Sequence, residues 1–372
     1  MKNNPLIQLA ALGQSVWLDY TRRDLIESGG LRRLIDNDDL RGMTSNPAIF
    51  EKAIVGSQIY EADIRAMASD GKSAEAIYEA ITLSDIQSAA DAFRSVYDST
   101  DGVDGFVSLE VNPHLARDTE GTVAEARRLW RALDRPNVFI KVPATAEGLP
   151  AIRQLVSEGV NVNVTLLFGL PRYREVAQAC IAGLVARAAD GEPVKSLASV
   201  ASFFLSRIDS LVDPILENII AQGGEHAELA KKAHGQVALS SAKIAYQIYK
   251  EMFTDERFVK LTAQEARPQR LLWASTGTKN PDYSDLKYVE PIIGPDTVNT
   301  ITVETLDAIR DHGKPASSLE QDLDQAKQII ALLPTLGIDI DEVTQQLEDE
   351  GVEKFNQAFD KLIAALAERK EL

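Results

Sequence analysis

The 372-residue sequence is poor in the residues that build disulfides and metal clusters, with one cysteine, Cys180, and four histidines. One cysteine excludes an internal disulfide and a cysteine-rich zinc site, and it fits a reducing compartment. The chain also lacks an apolar run of the ~18 residues that a membrane-spanning helix needs, and residues 1–14 do not resemble a secretory signal. We therefore expect a soluble, cytoplasmic protein.

Positive charge is scarce too, with 39 Lys and Arg against 56 Asp and Glu, which gives a net charge of −17. This charge repels phosphates of nucleic acids and anionic membranes, and no basic patch offsets it. We expect neither nucleic acid nor a membrane as a partner. Glycine-rich phosphate loops are also missing, because no strand leads into G-x-G-x-x-G and no G-x-x-x-x-G-K-[ST] occurs.

Eight short apolar or β-branched runs alternate with longer stretches of helical spacing. The predicted strands are residues 16–20, 41–46, 105–111, 137–143, 161–168, 197–204, 271–275 and 298–303. The main helix candidates between them are residues 22–35, 73–97, 123–133, 149–158, 171–189 and 227–251. Parallel strands joined by crossover helices give this alternation, and eight repeats favour an α/β fold of the closed (β/α)₈ TIM barrel type. An open doubly wound sheet is the alternative.

After Gly313 the pattern is helical to the end of the chain. Ser317 and Glu320 have the spacing of a capping box, and further helices are predicted from Asp341 and from Val352. No linker or low-complexity tract divides the sequence. We predict a single barrel domain over residues 1–372, in which residues 313–372 form a C-terminal helical extension packed on the barrel.

Side chains alternate along a strand, so one parity of each barrel strand points to the axis. If the apolar parity faces the helices, the polar residues that point inward from five strands are Asp19, Thr44, Asn46, Ser108, Glu110, Lys141, Asn161, Asn163 and Thr165. A purely structural axis would hold branched apolar side chains, and barrel enzymes place their chemistry at the C-terminal strand ends. We predict an active site there and no metal site, because no histidine accompanies the carboxylates.

Lys141 is the centre of this predicted site. Burial at the end of a strand disfavours the charged ammonium, and a neutral amine can attack a carbonyl to form a Schiff base. The alternative is a lysine with a buried stem whose ammonium pairs with Glu110 or Asp19. The inward parity of Asp19, Asn46, Glu110 and Thr165 favours the catalytic interpretation.

Four stretches occur in order along the chain: residues 43–50 (MTSNPAIF), 137–145 (NVFIKVPAT), 163–168 (NVTLLF) and 296–300 (DTVNT). Together they resemble the transaldolase family, and the match spans roughly residues 14–313. The resemblance implies a Schiff-base barrel enzyme of the pentose phosphate pathway that needs no cofactor. Such an enzyme moves a dihydroxyacetone unit from sedoheptulose 7-phosphate or fructose 6-phosphate to glyceraldehyde 3-phosphate or erythrose 4-phosphate.

The resemblance also implies roles for individual residues. Lys141 looks like the Schiff-base lysine and Asp19 like the acid/base that handles the hydroxyl proton during carbon–carbon cleavage. Glu110 and Thr165 resemble the pair that holds the catalytic water, and Asn46 a contact to the bound dihydroxyacetone.

Further residues resemble the part of the family's site that binds substrate and phosphate. Ser202 and Arg207 match family positions near the substrate and its phosphate. Ser275 and Lys279 follow the seventh strand, where the short branch of the family has an arginine and the long bacterial branch is similar to this chain. An anionic substrate needs such local positive charge in a protein of net charge −17. The alternative for Arg207 is an ion pair with an acid on its own helix, Asp209 or Asp213.

Two other functions stay open from the sequence. One is a related aldolase, of the fructose 6-phosphate aldolase type, that forms the same Schiff base but releases free dihydroxyacetone. The other is a non-catalytic barrel that binds sugar phosphates. We expect a monomer or a homodimer.

Overall fold

The computed structural model describes residues 4–370. Its eight strands are all parallel and form a closed barrel in chain order, in which the last strand pairs with the first. They are β1 Gln14–Asp19, β2 Gly42–Thr44, β3 Phe106–Glu110, β4 Val138–Pro143, β5 Val162–Leu167, β6 Ser199–Phe204, β7 Arg270–Ala274 and β8 Thr297–Ile301. The predicted (β/α)₈ barrel is confirmed, and the alternative of an open sheet is wrong.

Helices surround the barrel and fill most of the segments between strands. They are α1 Pro5–Ala11, α2 Arg23–Glu27, α3 Gly30–Asp38, α4 Pro47–Val55, α5 Glu61–Ser69, α6 Ala74–Ser99, α7 Thr119–Leu133, α8 Gly148–Ser157, α9 Leu170–Ala189, α10 Ser206–Gln222, α11 Glu225–Ala233, α12 Val237–Met252, α13 Glu256–Thr262, α14 Val303–His312, α15 Leu323–Leu332 and α16 Ile340–Lys370. Within residues 4–370, none of them is long and apolar enough to cross a membrane.

Two of the predicted helices are each divided in the structure. The predicted helix 22–35 breaks at Gly29, with φ of 73°, and the predicted helix 227–251 breaks before Gly235, with φ of 67°. Glycine adopts this left-handed conformation without steric cost and commonly ends a helix. The apolar spacing continues across both breaks, so it did not reveal them.

The C-terminal region is helical, as expected, but its predicted boundaries are partly wrong. A single helix, α16, runs through the predicted start at Val352. Ser317 and Glu320 do not cap a helix, because α15 begins after Asp322 and Glu320 instead pairs with Lys250 of α12. α15 packs against α12, and α16 packs against α4, α6 and α10. The single-domain interpretation of the whole chain stays a prediction.

An aromatic stack closes the barrel below the site. Trp17, Phe106 and Phe139 point inward, with ring centroids 6.0 Å apart for Trp17 and Phe139 and 4.3 Å for Phe106 and Phe139. Gly42 on β2 lets the indole of Trp17 approach, because a Cβ there would lie 2.6 Å from the ring. Phe106 of β3 and Phe139 of β4 therefore point to the barrel axis, as the parity of their strands predicted.

Candidate active site

The C-terminal ends of the strands open into a cavity of about 590 Å³. Eight of the nine residues predicted for the site line it, namely Asp19, Asn46, Lys141, Thr165, Ser202, Arg207, Ser275 and Lys279. Glu110 is the exception, since it contacts Lys141 but does not line the cavity. Strand parity predicted Asp19, Asn46, Glu110, Lys141 and Thr165, and the family resemblance implied the other four, while the role of each residue stays a prediction.

Lys141 presents its amine at the floor of the cavity, where its side chain is 5% exposed. Its Nζ donates a hydrogen bond to the carbonyl of Ser45 at 2.9 Å and lies 3.1 Å from Glu110 Oε2. The β3–β4 register pairs Glu110 with Lys141 directly, which explains the short distance. The ion pair considered as an alternative is therefore present. It does not exclude the catalytic role, because the amine, unlike its partner carboxylate, lines the cavity.

Glu110 and Thr165 carry buried polar atoms that lack hydrogen bonds. Apart from the ion pair with Lys141, the Glu110 carboxylate oxygens have no partner in the described part of the chain, and Thr165 Oγ1 has none there either. Burial raises the pKa of Glu110, and the charge of Lys141 opposes this shift. Unpaired buried polar atoms are costly, so they suit a bound water or substrate hydroxyl.

Asp19 ends β1 and is held by a hydroxyl from the next strand. Thr44 Oγ1 donates to Asp19 Oδ1 at 2.7 Å, and Thr44 Oγ1 lies 2.7 Å from Thr300 Oγ1. Burial raises the pKa of Asp19, whereas the hydrogen bond from Thr44 and the charge of Lys141 lower it. A carboxylate with a raised pKa exchanges protons closer to neutral pH, as an acid/base catalyst needs. Sequence reasoning noted that Thr44 points inward but gave it no role.

The strand predicted over residues 41–46 ends at Thr44 in the structure, so Asn46 lies just past β2. It is the N-cap of α4, where its side-chain Oδ1 accepts from the backbone N–H of Ile49 at 3.0 Å. Pro47 follows as the first helical residue, which is the preferred place for proline. Capping uses only the oxygen of the amide, so its NH₂ group can donate to a ligand in the cavity.

Ser202 lies deep in the cavity within a polar layer of the barrel. Its Oγ donates to Asn163 Oδ1 at 2.7 Å, and Asn163 Nδ2 donates to Ser108 Oγ at 3.0 Å. These bonds fix the orientation of the amide and leave Ser202 Oγ able to accept from a ligand. Asn161 lies at the opposite end of β5, where its side chain hydrogen-bonds to the backbone of Pro136 and Ala198.

Two cations share one wall of the cavity without a carboxylate partner. Within residues 4–370, neither Arg207 of α10 nor Lys279 of the β7–β8 loop forms an ion pair, and Arg207 Nη1 is buried with no hydrogen bond. Burial lowers the pKa of Arg207, and burial together with the charge of Arg207 lowers the pKa of Lys279. Two adjacent cations that lack a counterion have the chemistry to bind a phosphate group, and this role for Arg207 and Lys279 stays a prediction.

The alternative interpretation of Arg207 is wrong, because the acids on its helix bond elsewhere. Asp209 and Asp213 each accept one backbone N–H and one tyrosine hydroxyl, at 2.7 to 2.9 Å. The tyrosines are Tyr288 and Tyr283, which lie on the same β7–β8 loop as Lys279. These bonds therefore tie the helix of Arg207 to the loop that carries the second cation.

Backbone strain occurs at two strand ends beside the cavity. Ser275 directly follows β7 with φ of 52°, and Leu166, next to a register shift in β5, has φ of 55°. Both are unusual for residues other than glycine, and such strain tends to concentrate at functional sites. Ser275 is stabilised by Ser206, whose N–H donates to the Ser275 carbonyl at 3.0 Å and whose Oγ lies 3.0 Å from Ser275 Oγ.

Helix α16 supplies a wall of the cavity that sequence reasoning missed. Phe355 lines the cavity and is 4% exposed, and Lys141 Nζ lies 5.9 Å from the centroid of its ring. Phe355 is far from Lys141 along the chain, and helical spacing predicts only that Phe355 lies on an apolar face of its helix. The sequence therefore does not indicate that Phe355 lies beside Lys141. No group of three or more His, Cys, Asp or Glu residues that could hold a metal ion occurs in the part of the chain described.

Comparison with known proteins agrees with the resemblance seen in the sequence. The transaldolase/fructose-6-phosphate aldolase family model matches residues 16–366. A protein named transaldolase from Trichodesmium erythraeum is 48% identical over 373 residues, which cover 99% of this chain and 98% of that protein. Transaldolase 2 from Nostoc punctiforme is 44% identical, with 99% and 98% covered, and the transaldolase from Thiobacillus denitrificans is 46% identical, with 96% and 98% covered. The chain therefore belongs to the transaldolase/fructose-6-phosphate aldolase family.

Proposed function

We propose that the protein is a transaldolase, which transfers a dihydroxyacetone unit from a ketose phosphate to an aldose phosphate through a Schiff base on Lys141. The position of the Lys141 amine carries the proposal. It is buried at the floor of a cavity with Glu110 3.1 Å away, and it is close enough to Asp19 for its charge to lower the pKa of that carboxyl. The names of the relatives agree with this activity.

In the first half-reaction the neutral amine attacks the C2 carbonyl of the donor. The carbinolamine then loses its hydroxyl as water, for which Glu110 supplies the proton, while Thr165 holds the water. Asp19 takes the proton of the C4 hydroxyl as the C3–C4 bond breaks. The aldehyde phosphate leaves, and the bonding electron pair stays on the lysine-bound three-carbon unit as an enamine.

In the second half-reaction these steps run in reverse with a different aldehyde. The enamine carbon attacks the carbonyl of the acceptor, Asp19 returns the proton to the new hydroxyl, and hydrolysis of the Schiff base frees Lys141. The amide of Asn46 and the hydroxyl of Ser202 orient the hydroxyls of the three-carbon unit. Holding reactants in this way supplies much of the rate enhancement of an enzyme.

The phosphate of donor and acceptor binds to Arg207 and Lys279, assisted by the Ser275 hydroxyl. Arg207 offers a planar pair of N–H donors and Lys279 a point charge. The support is that both cations line the cavity without a carboxylate partner in the described chain. We further propose that the protein works in the cytoplasm, within the pentose phosphate pathway, as a monomer or a homodimer.

Trapping with borohydride tests the Schiff base. We expect borohydride in the presence of fructose 6-phosphate to leave one adduct, which peptide mass mapping locates on Lys141. Lys141→Arg should abolish labelling and turnover, because guanidinium stays protonated and cannot attack the carbonyl. Lys52→Arg, at the rim of the same cavity, is the matched control and should label normally. Labelling of another lysine would refute the proposal, and no labelling would favour a non-catalytic binding barrel.

The second candidate function is an aldolase that releases dihydroxyacetone, and the family description itself includes fructose-6-phosphate aldolase. Product partition separates the two functions. A transaldolase given fructose 6-phosphate releases little dihydroxyacetone and turns over when erythrose 4-phosphate is added. Similar release with and without that acceptor would favour the aldolase.

A further inference from the structure

Helix α16 approaches the mouth of the barrel closely at one glycine. A Cβ on Gly351 would lie 3.0 Å from Leu166 Cδ2, at the strained end of β5. Phe355 follows Gly351 by four residues and therefore lies on the same face of the helix. The close contact at Gly351 thus brings the ring of Phe355 into the cavity rather than above it.

Polar contacts hold α16 in this position along much of its length. They join Glu348 to Arg172, Asp349 to Arg117, Asp360 to His114, Lys361 to Glu51, and Arg369 to the carbonyls of Ile54 and Val55. Each exposed ion pair contributes little by itself. Because they contact several different segments around the barrel mouth, together they fix where the helix lies.

The ring of Phe355 occupies space next to the reactive amine. It is 4% exposed, its centroid is 5.9 Å from Lys141 Nζ, and it shares the cavity wall with Thr165 and Phe204. An apolar ring cannot hydrogen-bond to water, so it lowers the local density of water beside the atom that carries the intermediate.

We propose that Phe355 is a specificity-determining residue that makes the enamine on Lys141 react with an aldehyde rather than with water. This inference rests on the proposed function. At the branch point, transfer forms a carbon–carbon bond from the enamine carbon to the acceptor aldehyde. Release instead protonates that carbon, adds one water at C2 and frees dihydroxyacetone and the Lys141 amine. The ring slows release by excluding water on one side of the intermediate, and as an apolar group it takes no part in proton transfer.

The test compares Phe355 with the next aromatic residue on the same helix. Phe359, one turn on, is also buried but packs on Tyr78 and His114, with centroids 5.4 Å and 6.0 Å away, and does not line the cavity. The variants are Phe355→Leu, Phe355→Ala, Phe359→Leu and Phe359→Ala. The measurement is the ratio of free dihydroxyacetone to transfer product from fructose 6-phosphate and erythrose 4-phosphate, together with the melting temperature.

We expect Phe355→Ala to raise the ratio of release to transfer about tenfold, which equals about 1.4 kcal/mol at the branch point. Phe355→Leu should raise the ratio less, and both Phe359 variants should lower the melting temperature while leaving the ratio unchanged. An unchanged ratio in the Phe355 variants, or an equal rise in the Phe359 variants, would overturn the inference. If Phe355→Ala does not fold, Phe355→Leu decides. If borohydride trapping leaves no adduct on Lys141 of the wild-type protein, the proposed function itself is rejected.

Discussion

Removing the guanidinium of Arg207 should affect only substrates that carry a phosphate. Among residues 4–370, Arg207 Nη1 is buried without a hydrogen-bond partner, and the guanidinium carbon lies 5.6 Å from the centroid of the Phe204 ring, a contact that helps to orient the group. In the described structure no carboxylate forms an ion pair with it, so Arg207→Ala breaks no ion pair. Its effect on stability should therefore be small, and its effect on phosphate binding should be the main result.

The size of the loss follows from the contact that disappears. A hydrogen bond to a charged group contributes about 1.5 to 3 kcal/mol, which is roughly tenfold to more than a hundredfold in kcat/KM. Arg207→Ala should lower kcat/KM by this factor for fructose 6-phosphate. Unphosphorylated fructose never makes the contact, so its kcat/KM should change little. The kcat/KM of Arg207→Lys for fructose 6-phosphate should lie between those of the wild-type protein and Arg207→Ala, because lysine keeps the charge but lacks the planar pair of donors.

The assay needs a pH profile and a matched control. The charge of Arg207 lowers the pKa of Asp19, so the two proteins should be compared on the plateau of kcat/KM against pH rather than at one pH. Arg174→Ala is the control, because Arg174 pairs with the exposed Glu251 outside the cavity and makes the same change in net charge. Equal losses of kcat/KM for fructose and fructose 6-phosphate, with a lower melting temperature, would refute the assignment of Arg207 to the phosphate.

Two further predictions concern Lys279, on the β7–β8 loop, and Asp209, on helix α10. Lys279→Ala should lower kcat/KM for phosphorylated donors selectively, as Arg207→Ala does, but by a smaller factor, because a point charge lacks the paired donors of arginine. An unchanged kcat/KM would mean that the loop has no role in binding. Burial raises the pKa of Asp209 to about 6 from 3.8, so its contribution to stability is present below pH ~4 and lost as the pH rises through about 6. Relative to Asp209→Asn, the wild-type protein should lose about 3 kcal/mol of unfolding free energy between those limits. Denaturant titration of both proteins at pH 4 and pH 7 measures this loss. A difference in unfolding free energy between the two proteins that does not change with pH would contradict the prediction.

Strand order could be predicted because eight apolar runs alternate with helical stretches, and strand parity because five of these runs have polar residues at alternate positions. Lys141 and Asp19 were found in this way, and both line the cavity. Glu110 was found by the same parity, yet it does not line the cavity, although it is level with Lys141 in the β3–β4 register and its carboxylate lies 3.1 Å from Lys141 Nζ. Parity thus predicts the direction of a side chain, but it does not tell which of two neighbouring side chains lines the cavity.

The rest of the site depends on contacts between segments that are distant in the sequence. The hydrogen bond from Thr44 to Asp19 requires the β1–β2 register, which a single sequence does not provide. Phe355 enters the cavity because Gly351 packs on the irregular end of β5, and nothing in the spacing of a long amphipathic helix indicates that contact. Arg207 could not be separated from an ion pair with Asp209 until the bonds of that acid to Ala238 and Tyr288 were known.

We also expect the charges in the cavity to couple phosphate binding to proton transfer. Lys279 and Arg207 both lower the pKa of Asp19, in addition to Lys141. A phosphate bound to these two cations offsets their field, so the pKa of Asp19 should be higher in the enzyme–substrate complex than in the free enzyme. The carboxylate then becomes a stronger base at the step in which it takes the hydroxyl proton. The acid limb of kcat should therefore lie at higher pH than the acid limb of kcat/KM for fructose 6-phosphate. For unphosphorylated fructose, which leaves both cations free, the two limbs should coincide; a separation of the limbs that is equal for the two donors would show that the phosphate does not act on Asp19.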